Sequence, residues 1–265
     1  ERNAEINIVM PFEKEAYIKT SVDVVPGADW KDRFERVLAQ ANSIIYANDY
    51  PALDNTVLLE FTSLILDGAA KLRSQVYDTD LTALAVWDGQ ADDKPGETYA
   101  MLQHWKQFNR QIEIVDMPVI ETNNPVVVPN ISTVAPEIML DFPQEIRVMF
   151  FADVVGFSKL TERDVPFFVQ EFVGHIANEI ERSPYKPLHQ NTWGDAFYFV
   201  FSSVLEAAHF ALSTRDLIRD TDWEQRGLSA ALNMRISLHS GPVYRFTDPM
   251  IQKINFSGAH VNRAA

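Results

Sequence analysis

Two aspartates in the C-terminal half, Asp153 in VMFFADVVGFSKL and Asp195 in NTWGDAFYFVF, each stand beside a run of β-branched and aromatic residues. Such runs read as strands, with Asp153 at the end of one and Asp195 in a Gly-Asp turn just before the next. Two carboxylates at the ends of adjacent strands can hold a hard divalent cation against a triphosphate. Such a cation takes oxygen ligands and leaves positions open for water and phosphate. After Asp153 the VVGFS segment leads from strand to helix, where free backbone N–H groups can point at phosphate oxygens. The combination points to chemistry on a nucleoside triphosphate. Taken alone, either aspartate reads as a turn former or a loop cap.

The elements that must hold these groups begin near Glu145. IRVMFFAD is a strand, and Asp164 is placed to cap a helix whose Phe168, Phe172, Val173, Ile176 and Ile180 form one apolar stripe. YKPLHQNTW and AFYFVF are strands flanking the turn at Asp195, and a helix is expected over roughly 203–219. LNMRISLHSG and PVYRF read as a hairpin-like pair, and SGAHVNRAA opens a helix. Trp87 and Trp193 read as core residues, and His175, His209 and His239 as structural ones.

Residues 1–118 alternate between strand and helix patterns. INIVMPF, SIIYA, TALAVWDG and QIEIVDMP are the strands. Helices are expected at DWKDRFERVLAQA, capped by Asp29 with Phe34, Val37 and Leu38 on one face, from about Asn55 onward, and at ETYAMLQHWKQF. This alternation favours a parallel sheet covered on both faces. Residues 119–144 carry enough proline to oppose helix and central strand alike and read as a linker. The expected architecture is therefore α/β in two domains, 1–118 and 145–265.

The 265-residue chain carries a net charge of −14 and no basic stripe, which argues against general nucleic-acid binding and against docking on anionic lipid. A nucleotide needs only a local cation cluster and a metal. The absence of cysteine excludes disulfides, thiolate metal sites and cysteine nucleophiles. No apolar run is long enough to span a bilayer and no signal peptide is recognised, so the expected location is cytoplasmic.

In order along the chain, FADVVGFSKLTE, WGDAFYFVF, RISLHSGPV and SGAHVNRAA resemble the catalytic domain of class III nucleotidyl cyclases, the adenylate and guanylate cyclase family. The resemblance covers 145–265. It implies a ferredoxin-like α/β fold, active sites shared between two domains and hence a homodimer, and two Mg²⁺ or Mn²⁺ ions held by Asp153, Asp195 and the Val154 carbonyl. It further implies phosphate-binding amides at Gly156, Phe157 and Ser158, and a ribose-orienting catalytic asparagine at Asn262. The family's reaction is attack of the ribose 3′-oxygen on the α-phosphorus of a nucleoside triphosphate, giving a 3′,5′-cyclic nucleotide and pyrophosphate. The family's transition-state arginine falls four residues beyond Asn262, past Ala265.

The family's base-reading positions fall on Asn191 and Asn255, which replace the lysine–aspartate pair of adenylate cyclases and the glutamate–cysteine pair of guanylate cyclases. An amide both donates and accepts, so such a pair can serve several base edges. ATP is the family default, while the resemblance to bacterial anti-phage pyrimidine cyclases admits UTP or CTP. The two asparagines read equally as loop amides. In residues 1–118, MPFEKEAYI, FERVLAQAN, LAVWDG and PGET resemble Rossmann-like nucleotide-sensing domains of the SLOG and TIR-like type. That resemblance implies a regulatory role and a ligand site at Asp88, Gly96 and Thr98, with Asp88 equally a turn residue. The competing reading of the chain is an inactive cyclase-homology module for nucleotide sensing and dimerisation; a third makes the N-terminal domain a nucleotide-hydrolysing effector.

Overall fold

Short apolar runs separated by turn residues build both halves of this chain, and they assemble differently in each. The computed structural model describes residues 4–52, 55–89, 98–116 and 142–264. It divides into two units, Glu1–Leu140 and Asp141–Ala265.

In the first unit β1 (Asn7–Met10), β2 (Ser43–Tyr46), β3 (Thr82–Trp87) and β4 (Gln111–Asp116) occupy the four predicted strand positions. Between them lie α1 (Lys14–Tyr17), which runs on as a π-helical turn at Ile18–Val22, then α2 (Trp30–Leu38), α3 (Thr56–Tyr77) and α4 (Thr98–Gln107). The strands pair in parallel, β1 with β2 and β3 with β4, but the described residues form two separate two-stranded sheets. The expected single Rossmann-like sheet is not found among the described residues.

What joins the two pairs is helix α3. Its Arg73 bonds Glu5 beside β1, and its Asp67 receives a two-pronged, mostly buried bond from Arg110 beside β4. With no ladder between the pairs, Leu84 and Val86 of β3 stay exposed at 62% and 55%. Two smaller expectations also fail here. Asp29 makes no capping bond to α2 and instead lies 3.8 Å from Arg33, and Val37 of the predicted apolar face is exposed.

The second unit is a five-stranded antiparallel sheet. Its strands are β5 (Gln144–Val155), β6 (His189–Trp193), β7 (Ala196–Phe201), β8 (Asn233–Thr247) and β9 (Ile254–Ser257). The spatial order is β6-β7-β5-β8-β9. A helix follows β5, α7 (Val204–Asp220) follows β7, and α8 (Ala259–Ala264) follows β9. The first four strands and two helices thus run β-α-β-β-α-β, the ferredoxin-like order, with β5 central.

The helix after β5 is built from α5 (Val165–Phe167), a π-helical stretch at Phe168–Val173 and α6 (Gly174–Arg182). Phe168, Phe172, Ile176 and Ile180 recur every fourth residue and are all buried, as the sequence predicts. In a pure α-helix that spacing drifts by about 40° per step, and the wider π turns offset the drift and keep the stripe facing the sheet. Asp164 does not cap this helix. Its carboxylate turns back to the backbone and hydroxyl of Thr161, and these bonds hold its pKa below the usual carboxylate range. Ser203 does cap α7, accepting from the Glu206 amide.

One face of the sheet and the two long helices enclose a core dominated by phenylalanine. Phe150 stacks on Phe199 and meets Phe210 edge-on, and Phe168 stacks on Phe172. Burial of this many aromatic rings supplies most of the apolar driving force of the unit. The opposite face carries Met149, Tyr198, Val200 and Val243, covered by Phe256 of β9 and Ala264 of α8.

The predicted hairpin-like pair at 232–246 is instead the single strand β8, which pairs with β5 from Asn233 to Tyr244 and with β9 from Tyr244 onward. Pro242 fits because only one side of β8 is paired at that residue, so its missing N–H costs no second ladder bond. Beyond β5 the strand curls far enough to bring β9 back to the other edge, where His189 of β6 donates from Nδ1 to the Ile254 carbonyl at 2.9 Å.

Candidate active site

Antiparallel pairing places the two aspartates side by side. Asp153 lies in β5 opposite Ala196, the first residue of β7, and Asp195 forms the β6–β7 turn with Gly194. Gly194 has φ of 64°, a conformation that favours glycine and lets the chain reverse in two residues. The Val154 amide donates to the Asp195 carbonyl at 3.1 Å, tying the turn to the strand that carries Asp153. The strand runs two residues past Asp153 rather than ending at it. Both carboxylates remain partly solvent-accessible.

Gly156, with φ of 91°, breaks the strand and starts a 3₁₀ turn over Phe157–Lys159. Inside that turn the Lys159 and Leu160 amides donate to the Gly156 and Phe157 carbonyls. The Phe157 and Ser158 amides, at its start, have no partner within the turn. Phe157 packs edge-on against Phe168 at 5.0 Å, so the core anchors the loop while exposed Ser158 stays outside.

The sequence reading missed Arg235. Its guanidinium bonds the Asp153 carboxylate from β8, where the two residues lie directly opposite. No local motif marks this residue, because its position beside Asp153 depends on the β5–β8 register. The only signal available was its alternation with His239 on one strand.

Asn262 lies on α8, which packs against β8 and β5 on the sheet face that carries Asp153. Two bonds fasten helix α8 to β8. Ser237 donates to the Ala264 carbonyl at 2.5 Å, and His260 shares a 2.9 Å hydrogen bond with His239.

Asn191 and Asn255 sit on opposite edge strands, and the curl joined at His189 and Ile254 brings those edges together. Each side-chain oxygen is held by the next residue's amide, that of Thr192 or Phe256, at 2.8 Å. Asn255 also donates to Asp248 at 3.0 Å, and this bond is the first cause of the lowered Asp248 pKa. Trp193, expected in the core, is 57% exposed and lies nearly parallel to the Tyr198 ring. It ends β6 at the mouth of the turn.

In the first unit Trp87 packs near Tyr99, so the start of α4 lies beside the end of β3. Asp88 and Thr98 are both there and exposed, while Gly96 lies outside the described residues. Among the described residues no three acidic or histidine side chains cluster as metal ligands, and no helix is long and apolar enough to cross a membrane.

Residues 143–265 match the family model described as the adenylate and guanylate cyclase catalytic domain. Among solved structures, the guanylate cyclase domain of RhGC from Catenaria anguillulae in complex with GTP is 22% identical, over 46% of this chain and 71% of that one, with a TM-score of 0.38. A dimeric guanylyl cyclase domain of the RhoGC fusion protein from the aquatic fungus Blastocladiella emersonii is 22% identical, over 46% and 72%, at 0.39. The adenylyl cyclase CyaB from P. aeruginosa is 16% identical, over 47% and 71%, at 0.40. No curated protein sequence matches the chain.

Proposed function

We propose that the second unit is a nucleotidyl cyclase, converting a nucleoside triphosphate to a 3′,5′-cyclic nucleotide and pyrophosphate, with the first unit as its regulator. The observation that carries this reading is the joining of Asp153 and Asp195 through the Val154–Asp195 backbone bond, next to a glycine-led turn with free amides. The match of residues 143–265 to the cyclase catalytic-domain family supports it.

The donor set suits Mg²⁺ or Mn²⁺. Such ions are commonly bound by one or two carboxylates, with waters and substrate phosphates completing the shell, so a third acidic side chain is not required. Asp153, Asp195 and the Val154 carbonyl would hold two ions. Bound there, the metal supplies charge neutralisation for the triphosphate and acidity for the ribose 3′-hydroxyl.

The chain's own groups do the positioning. The Gly156, Phe157 and Ser158 amides receive phosphate oxygens, and Asn262 orients the ribose. Arg235, once metal takes its place on Asp153, offers a planar donor fork to the phosphates. The 3′-hydroxyl gives up its proton to solvent water as its oxygen forms a bond to the α-phosphorus, while the bond to pyrophosphate breaks and its electron pair leaves with that group. Asn191 and Asn255 would contact the base, and with their oxygens already held locally they present mainly N–H donors. Because the family's sites are shared between two domains, a homodimer is the expected working form.

The test is incubation with Mn²⁺ and ATP, GTP, CTP or UTP in turn, with products identified by mass spectrometry and Asp153→Asn and Asp195→Asn as controls. A 3′,5′-cyclic product lost in both variants supports the proposal and identifies the base. Nucleotide binding without turnover of any of the four would identify an inactive nucleotide-sensing module instead.

A further inference from the structure

At the end of β6 the Trp193 ring is 57% exposed, although tryptophan is among the more buried residue types on average. Its indole lies within 12° of the Tyr198 ring plane, with centroids 6.3 Å apart, and Tyr198 in turn stacks on Phe151 at 4.6 Å. Tyr198 is 2% exposed. A buried ring thus aligns the indole while most of the indole surface meets solvent.

Strand register decides what stands beside that open ring. Trp193 pairs with Ala196, Ala196 with Asp153, and Asp153 with Arg235. Directly paired residues project from the same face of a sheet, so these four form one row across the strands. The next row runs through Asn191, Tyr198, Phe151 and Ser237. Trp193 and Asp153 therefore stand two strand spacings, roughly 10 Å, apart, with only the Ala196 methyl between them in the row. Asn191 lies two residues back on the same strand, and hence on the same face.

We propose that the Trp193 indole is the surface on which the base of the nucleoside triphosphate stacks, with the Asn191 amide at that base's edge. The inference rests on the cyclase reading for its substrate. A nucleobase presents a π face and a hydrogen-bonding edge, and an exposed indole beside an amide offers one group for each. Stacking draws on the desolvation of two flat apolar surfaces, which the exposed indole has not realised in the free protein. Every base has such a face, so the ring sets affinity without choosing among the four, and the choice falls to the hydrogen bonds of Asn191 and Asn255. The other cover for the ring is a second copy of this chain. A protein contact would bury it with or without nucleotide, whereas a base covers it only in the complex. The row shared with Asp153 favours the base.

Binding to the whole protein is measured with Mg²⁺ and the 3′-deoxy forms of ATP, GTP, CTP and UTP, which lack the attacking hydroxyl and cannot be cyclised. Inorganic tripolyphosphate is the probe without a base. Titration calorimetry gives Kd, and tryptophan emission reports the ring. A bound 3′-deoxynucleotide is expected to quench wild-type emission, and tripolyphosphate is not. The chain has five tryptophans, so the quench is assigned by its loss in Trp193→Phe. Trp193→Ala should raise the Kd of that nucleotide by about 5- to 150-fold, the range for loss of one base–aromatic stack, and move the tripolyphosphate Kd by less than about twofold. Trp193→Phe keeps an aromatic face and should recover most of the affinity. A nucleotide Kd in Trp193→Ala within about twofold of wild type overturns the proposal and leaves the cyclase reading intact. An equal loss for nucleotide and tripolyphosphate, the mark of a merely structural role, does the same. So does an emission maximum that shifts with protein concentration and not with nucleotide, which assigns the ring to a contact between copies. Failure of every nucleotide to bind the wild-type protein would overturn the cyclase reading and this proposal together.

Discussion

Gly241→Ala isolates the contact on which α8 depends. The new Cβ would stand 2.2, 2.4 and 2.8 Å from the Nδ1, Cγ and Cε1 atoms of His260. All three are closer than carbon and ring atoms approach in folded proteins, so something must move. The glycine is not in a left-handed conformation, so alanine carries no backbone penalty there and the clash is the whole effect. The ring cannot retreat easily, because it is buried and bonded to His239. The remaining response is for α8 to lift from β8.

Overpacking of this kind costs about 1–3 kcal/mol, which in a local opening equilibrium is roughly a 5- to 150-fold loss of protection. Hydrogen exchange of residues 259–264 at pH 7.5 reads it directly, whereas a global melting curve would mix two units. His260→Ala also loosens α8, by losing the bond and leaving a cavity. The double variant should be clearly less damaged than the sum of the two, because removing the ring makes room for the new methyl. Unchanged protection in Gly241→Ala, or strict additivity in the double variant, would refute the view that this contact seats the helix.

Two further outcomes follow from the site. Arg235→Gln removes a cation from the Asp153 carboxylate, and the pair is exposed enough that its own worth is about 0.2–1 kcal/mol. Mn²⁺ binding in the absence of nucleotide should therefore tighten by up to about fivefold while turnover falls; weaker Mn²⁺ binding in titration calorimetry would contradict the competition. Asp248→Ala releases the Asn255 amide from its local bond, so the ratio of kcat/KM between competing bases should move toward equality. An unchanged ratio in a competition assay would show that Asn255 does not read the base.

The parts of this molecule that sequence exposes are those governed by local spacing. The every-fourth-residue stripe from Phe168 to Ile180 becomes a buried helix face, and the Gly194–Asp195 pair becomes a turn, because each depends on neighbours a few residues away. The four strands of the first unit are legible for the same reason. Their failure to form one sheet is not, since nothing in β1 or β3 states whether a ladder or the ion pairs of α3 will connect them. Gly241-Pro242 misleads in the opposite direction. The pair reads as a turn, yet one unpaired strand edge is enough to let β8 run straight through it.

Long-range register also decides which candidate residues share a face. Asp153, Arg235, Ser237, His239 and Gly241 fall on one side because β5 and β8 pair antiparallel with side chains alternating across the sheet. A one-residue slip would send Arg235 into the phenylalanine core and remove His239 from His260. Core packing and site geometry are therefore one constraint seen from two faces of the same sheet. Phe150 and Val148 hold the register on the inner side. On the other side that register sets Arg235 against the carboxylate and seats the helix bearing Asn262.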